Sequence, residues 1–133
     1  MKYICLGYMY EDVSATFSES EQNNFVDKCF TYDEELKRTG HYVGGEALQP
    51  ASNATMLRIR NGKVSITDGP FAETKEQIGG IMILEADDLN HAIQLMSKHP
   101  SLALSKGGGS WEIRPAADLD AMLDESGKRR TAK

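Results

Sequence analysis

The chain of 133 residues carries 15 Lys and Arg against 20 Asp and Glu, a formal charge of −5, with 40% hydrophobic residues and two cysteines. That length suits one domain able to bury a core without disulfide or structural metal; the apolar share excludes a disordered chain of low hydrophobicity, and the acid excess argues against a nucleic-acid partner, which calls for a basic face. Apolar runs fall far short of the roughly 20 residues of a membrane span, no secretory signal pattern is visible at the amino end, and Cys5 and Cys29 stand far apart, so a reduced, cytoplasmic protein without a membrane partner is expected.

Residues 2–9, Lys2-Tyr3-Ile4-Cys5-Leu6-Gly7-Tyr8-Met9, are dense in aromatic and aliphatic side chains without polar alternation. That is the pattern of a strand covered on both faces. An acidic, hydroxyl-rich segment over 11–18 leads to Ser18-x-x-Glu21, a capping box, and the spacing predicts a helix from there to Arg38. Phe25, Cys29, Tyr32 and Leu36 form its stripe, broadened by Val26 and Phe30. Lys37 and Arg38 suit the dipole of the last turn, and Gly40 is placed for a C′ cap. A return strand over 41–48 ends at Pro50. Thr55–Arg60 and 63–67 alternate with period two about Asn61-Gly62, the signature of a two-residue hairpin.

Residues 68–77 are a polar excursion, and 78–85 another apolar strand opening on Gly79-Gly80. Asp87 or Asp88 caps a second helix with Leu89, Ala92, Ile93 and Met96 on one face, stopped by His99-Pro100. Gly107-Gly108-Gly109 is a loop, and 110–114, with Trp111 and Ile113, is the last strand, ended by Pro115. A short helix over 118–123 and a frayed tail over 128–133 are expected to close the chain.

With the hairpin as an insert, the order is β-α-β-β-α-β, an α+β ferredoxin-like domain over 1–117 followed by the terminal helix and tail of 118–133. Both helices then cover one sheet face. The strands show no fully polar second face, since Tyr3, Cys5, Ile81, Ile83 and Trp111 stand against Ile4, Leu6, Met82 and Ile113. A homodimer with sheets packed face to face is expected, two chains closing an α+β barrel.

The most unusual segment is Thr67-Asp68-Gly69-Pro70-Phe71-Ala72-Glu73-Thr74-Lys75-Glu76. Pro70 has no amide proton and cannot continue a ladder; Asp68 suits an Asx-type turn; Phe71 is the large apolar anchor. The segment is either a rigid turn on a solvated loop or, folded over the open end of a barrel, a place where Asp68, Glu73 and Glu76 crowd into a proton-transfer site. Lys75, Arg58 and Arg114 are candidates for holding an anionic ligand. Arg58 and Arg60 share one strand face, as do Glu112 and Arg114; the bland alternative for each is a surface ion pair worth under about 1 kcal/mol. His41 is a candidate general base with Asp68, against an exposed or capping histidine. His91 and His99 are too far apart along a helix to share a metal, and no metal-ligand spacing occurs, so neither metal nor cofactor is expected. Cys5 and Cys29 read as buried, inert thiols. The acid excess belongs to residues 10–35, where eight carboxylates face Lys28 alone.

Asp68-Gly69-Pro70-Phe71 followed by Ala72-Glu73-Thr74-Lys75-Glu76, then Gly79-Gly80 and an aliphatic strand, resembles the DGPF domain family of the YCII-related superfamily. The opening Met1-Lys2-Tyr3, the segment Gly45-Glu46-Ala47-Leu48 and the closing Trp111-Glu112-Ile113-Arg114-Pro115 agree with it, so the resemblance spans about residues 1–117. It implies a dimeric α+β barrel and, as a partner for some members, an extracytoplasmic-function sigma factor. Some relatives carry a His/Asp pair held to be catalytic, and one branch cleaves a chlorinated muconolactone. Two functions follow as expectations. One is a metal-free acid–base enzyme on a small polar or anionic metabolite, with Asp68 as acid or base, His41 or Glu73 as its partner, and Lys75 with Arg58 as the anion clamp. The other is a non-catalytic module that binds a ligand or a regulatory protein such as a sigma factor.

Overall fold

A computed structural model describes residues 1–10, 16–69, 76–103 and 109–132. Its elements are β1 (Lys2–Tyr10), α1 (Glu19–Arg38), β2 (Tyr42–Ala47), β3 (Thr55–Arg60), β4 (Lys63–Asp68), β5 (Glu76–Glu85), α2 (Leu89–Met96), β6 (Ser110–Pro115) and α3 (Leu119–Thr131), with 3-10 turns at Ala51–Asn53 and Pro100–Ala103. β2, β5, β1 and β6 lie side by side in that order, every neighbouring pair antiparallel. This is the ferredoxin-like arrangement, and β3–β4 is a separate two-stranded ribbon inserted between β2 and β5.

The ends of α1 follow from residues close to them. Ser18 Oγ accepts from the Glu21 amide at 3.1 Å while Glu21 Oε1 accepts from the Ser18 amide at 3.2 Å, which satisfies two otherwise orphaned donors. At the other end Gly40 takes φ +82°, its amide donates to Lys37 O at 3.1 Å, and the His41 amide reaches Leu36 O at 2.8 Å. Those two bonds form a Schellman stop, which needs a residue able to occupy the left-handed region. Asn61 at φ 52° and Gly62 at φ 77° make the hairpin turn, with both central residues left-handed as the strand twist demands.

Register decides the two faces of the main sheet. Cys5 lies opposite both Met82 and Ile113, and with Tyr3 and Leu84 it faces the helices, where Leu36 of α1 and Ala92 and Met96 of α2 complete a buried cluster. Ile4 pairs with Ile83 and Leu6 with Ile81 on the other face, so Met82 and Ile113 join the Tyr3 set and Ile81 and Ile83 leave it. Neither α1 nor α2 covers that second face. The hairpin is amphipathic in the same way: Leu57 opposite Ile66 and Ile59 opposite Val64 share one side, each between 62 and 69% exposed.

Three local expectations change. β5 begins at Glu76, opposite Tyr10, rather than at Ile78. Leu89 and Ile93 of the α2 stripe stay nearly half exposed, and only Ala92 and Met96 are buried. The final helix continues to Thr131 instead of fraying from 128. Asp118 caps it by accepting from the Ala121 amide at 3.0 Å, and Asp120 near its start and Lys128, Arg129 and Arg130 near its end match the helix dipole. Among the described residues no helix is long and apolar enough to cross a membrane.

Candidate functional site

Strand register also hollows the helix-covered face. Across β6, β1, β5 and β2 one row reads Trp111, Gly7, Gly80, Ala47. Three consecutive positions with at most a methyl group leave a cavity of about 360 Å³ beneath α1. Phe25, Cys29 and Asp33, four residues apart along one side of α1, line it from above, and Trp111, Ser101 and His99 line it from the side. The floor is tightly specified: a Cβ on Gly7 would stand 3.0 Å from the Trp111 ring, and one on Gly45 would stand 2.6 Å from Tyr42 Oη and 2.8 Å from Ile81 O.

The polar side of this cavity is one connected chain. Trp111 Nε1–H donates to Ser101 Oγ at 2.8 Å. Ser101 Oγ lies 2.8 Å from His99 Nδ1, and the Ser101 amide donates to the same nitrogen at 3.2 Å. A ring nitrogen that receives a backbone N–H is an acceptor, so this network assigns the imidazole proton to Nε2. That nitrogen faces Asp33 Oδ1 at 3.4 Å. The ring is held edge-on between Tyr32, with centroids 5.7 Å apart, and Trp111, at 4.9 Å. His99 is 5% exposed, while Asp33 Oδ1 is buried and accepts no hydrogen bond. Each donor hands on to the next, Trp111 to Ser101 and Ser101 to His99, and the chain ends with His99 Nε2 facing the Asp33 carboxylate.

The surrounding groups register that charge. Burial, and then the Asp33 carboxylate, push the Cys29 thiol up to about 11. Burial raises the Tyr42 phenol, with Asp33 and Glu46 adding to the effect. At neutral pH Cys29 is therefore a neutral thiol and a poor nucleophile.

The described residues among those singled out in sequence lie elsewhere. Asp68 ends β4 with Thr55 Oγ1 3.5 Å away. His41 Nδ1 sits 2.9 Å from Glu85 O, with its ring edge-on to His91 at 5.0 Å. No hydrogen bond or ion pair joins His41 to Asp68 among the described residues. Glu76 accepts from Ser110 Oγ at 2.5 Å at the opposite end of β5 from Glu85, roughly 30 Å along the strand. Arg58 is exposed on the hairpin side opposite Leu57 and Ile59. Arg114 is bonded to Glu112, which also accepts from Tyr8 Oη at 2.9 Å; the two donors, Arg114 first, hold the Glu112 carboxyl below its usual range. Phe71, Glu73 and Lys75 lie outside the described residues.

Asp33, His99, Ser101 and Trp111 escaped sequence reasoning. Two signals pointed to them: glycine in the interior of an apolar strand marks a void or a close approach, and Asp33 is a charge on the stripe of Phe25 and Cys29.

A sequence profile of the YCII-related domain matches residues 1–120. An uncharacterised protein of Rhizobium meliloti (strain 1021) is 31% identical over 121 residues, covering 88% of this chain and 93% of that protein.

Proposed function

The chain belongs to the YCII-related domain family, and from that premise we propose that it is a small-molecule protein whose cavity beneath α1 uses Asp33 as a general base. One observation carries the proposal: a buried chain of donors, Trp111 to Ser101 to His99, ends at a carboxylate oxygen that lines the cavity and accepts no hydrogen bond. A carboxylate in mostly apolar surroundings is short of solvating water, so a ligand proton placed against it meets a strong acceptor. His99 has both ring nitrogens engaged and is a positioning residue. It turns its Nε2 toward Asp33 and holds the carboxylate in place while the proton moves. This relocates the acid–base chemistry expected at Asp68, with His41 or Glu73, to residues of α1 and the turn after α2.

Two finer statements belong to the same proposal. The run Asp68-Gly69-Pro70-Phe71 supports placement in the DGPF branch. The apolar residues left open on the main sheet and the hairpin support a homodimer.

The test is 5-nitrobenzisoxazole, a flat molecule whose ring-carbon proton a carboxylate base removes as the N–O bond opens to a coloured cyanophenolate. The wild-type chain is expected to release product at least tenfold faster than Asp33→Asn, with His99→Gln intermediate and both variants folded by circular dichroism. Equal rates for wild type and a folded Asp33→Asn would refute the role of Asp33.

A further inference from the structure

We infer that the cavity takes an organic ammonium, an amine carried on an aromatic or aliphatic body, with its charged nitrogen held between Asp33 and the surrounding rings. The inference rests on reading the cavity as a small-molecule site and adds the class of ligand. Four observations meet there. Asp33 places a carboxylate on its lining. Phe25, Phe30, Tyr42 and Trp111 line it with aromatic rings, whose faces attract cations, more strongly where water is excluded. Tyr42 already holds a cation: Lys37 Nζ lies 4.8 Å from its ring centroid. Asp33 Oδ1 is buried with no hydrogen bond, and an ammonium N–H supplies the donor it lacks, as a charge-assisted bond.

Burial is the main obstacle to ionisation of Cys29 and Tyr42, and the Asp33 carboxylate adds to it; the same carboxylate opposes an anionic guest. A neutral alcohol satisfies Asp33 but gains little from the rings, so charge is the discriminating property. This departs from the anionic ligand expected with Lys75 and Arg58: Arg58 stands exposed on the hairpin, and Lys75 lies outside the described residues.

Trp111 is the sole tryptophan and lines the cavity, so its fluorescence reports occupancy. The experiment titrates the full chain at pH 7 with three probes of one skeleton: phenethylammonium, phenethyl alcohol and 3-phenylpropionate. Phenethylammonium is expected to bind at least tenfold more tightly than the alcohol, and the propionate most weakly. Asp33→Asn should remove about tenfold of the ammonium affinity and change the alcohol's by less than twofold. If alcohol or propionate binds as tightly as the ammonium, or if Asp33→Asn does not shift the preference, the ligand class is overturned while the cavity remains a small-molecule site. If none of the three gives a saturable change, both readings fail.

Discussion

His99 shows how much of this chemistry lies in the placement of single atoms. Its Nδ1 is occupied by Ser101, so only Nε2 faces Asp33, and in the proposed site the histidine acts through the carboxylate rather than on a ligand directly. The two thiols give a separate, measurable consequence. Burial raises Cys5 from 9.0 to about 11, and burial together with Asp33 does the same for Cys29. The fold favours the neutral thiol. Its contribution to stability is therefore fully present below about pH 9 and is lost as pH climbs toward 11, because the unfolded chain ionises first. The urea midpoint should fall between pH 9 and 11, and a Cys5→Ala/Cys29→Ala chain should show a shallower fall between pH 9 and 10. Above pH 10 the raised phenols of Tyr8, Tyr32 and Tyr42 act in the same direction. At this scale the sequence was legible for Cys5, whose apolar neighbours predict burial, while Cys29, expected buried, is partly exposed at the cavity. It was opaque for Asp33, which sits beside Glu34 and Glu35 and is separated from them only by which side of the helix meets the sheet.

At the scale of elements the sequence reads well, because caps and turns are made by residues three to five positions apart. The Ser18–Glu21 box, the Gly40 stop and the Asn61-Gly62 turn all appear as their residue types require. Ser18→Ala removes the acceptor for the Glu21 amide and is expected to destabilise the fold by about 1 kcal/mol. Urea titration checks this, and an unchanged midpoint would mean that the first turn is held by packing alone. The ends of β5 and α3 were harder to place. Glu76 enters the ladder because Tyr10 lies opposite it, a partner distant in sequence. The last helix gains its length from an N-cap and from charges matched to the dipole at both ends rather than from an apolar stripe, since Leu119, Met122 and Leu123 remain more than half exposed.

At the scale of the whole molecule, the sheet has one side under helices and one side open, and the hairpin carries four aliphatic residues into solvent. Contiguous apolar patches of this kind mark interaction surfaces, which supports the homodimer proposed above. Light scattering at micromolar concentration should return twice 14.7 kDa. Ile59→Glu combined with Ile66→Glu should halve that mass without loss of ellipticity, since both side chains are exposed within the chain and such surface changes alter stability by only about 0.5 kcal/mol. A wild-type chain of monomer mass would end the proposal. The sequence by itself determined the elements, their order and the ends made by caps and turns, because hydrogen bonds between near neighbours and the periods of helix and strand are written in short stretches of residues. Only the tertiary structure decided the site: antiparallel register set Gly7, Gly80 and Ala47 in one row, and packing of α1 over that row brought Asp33 to His99, Ser101 and Trp111. Those contacts join residues from separate elements, and no local pattern encodes which row of a sheet will be left empty.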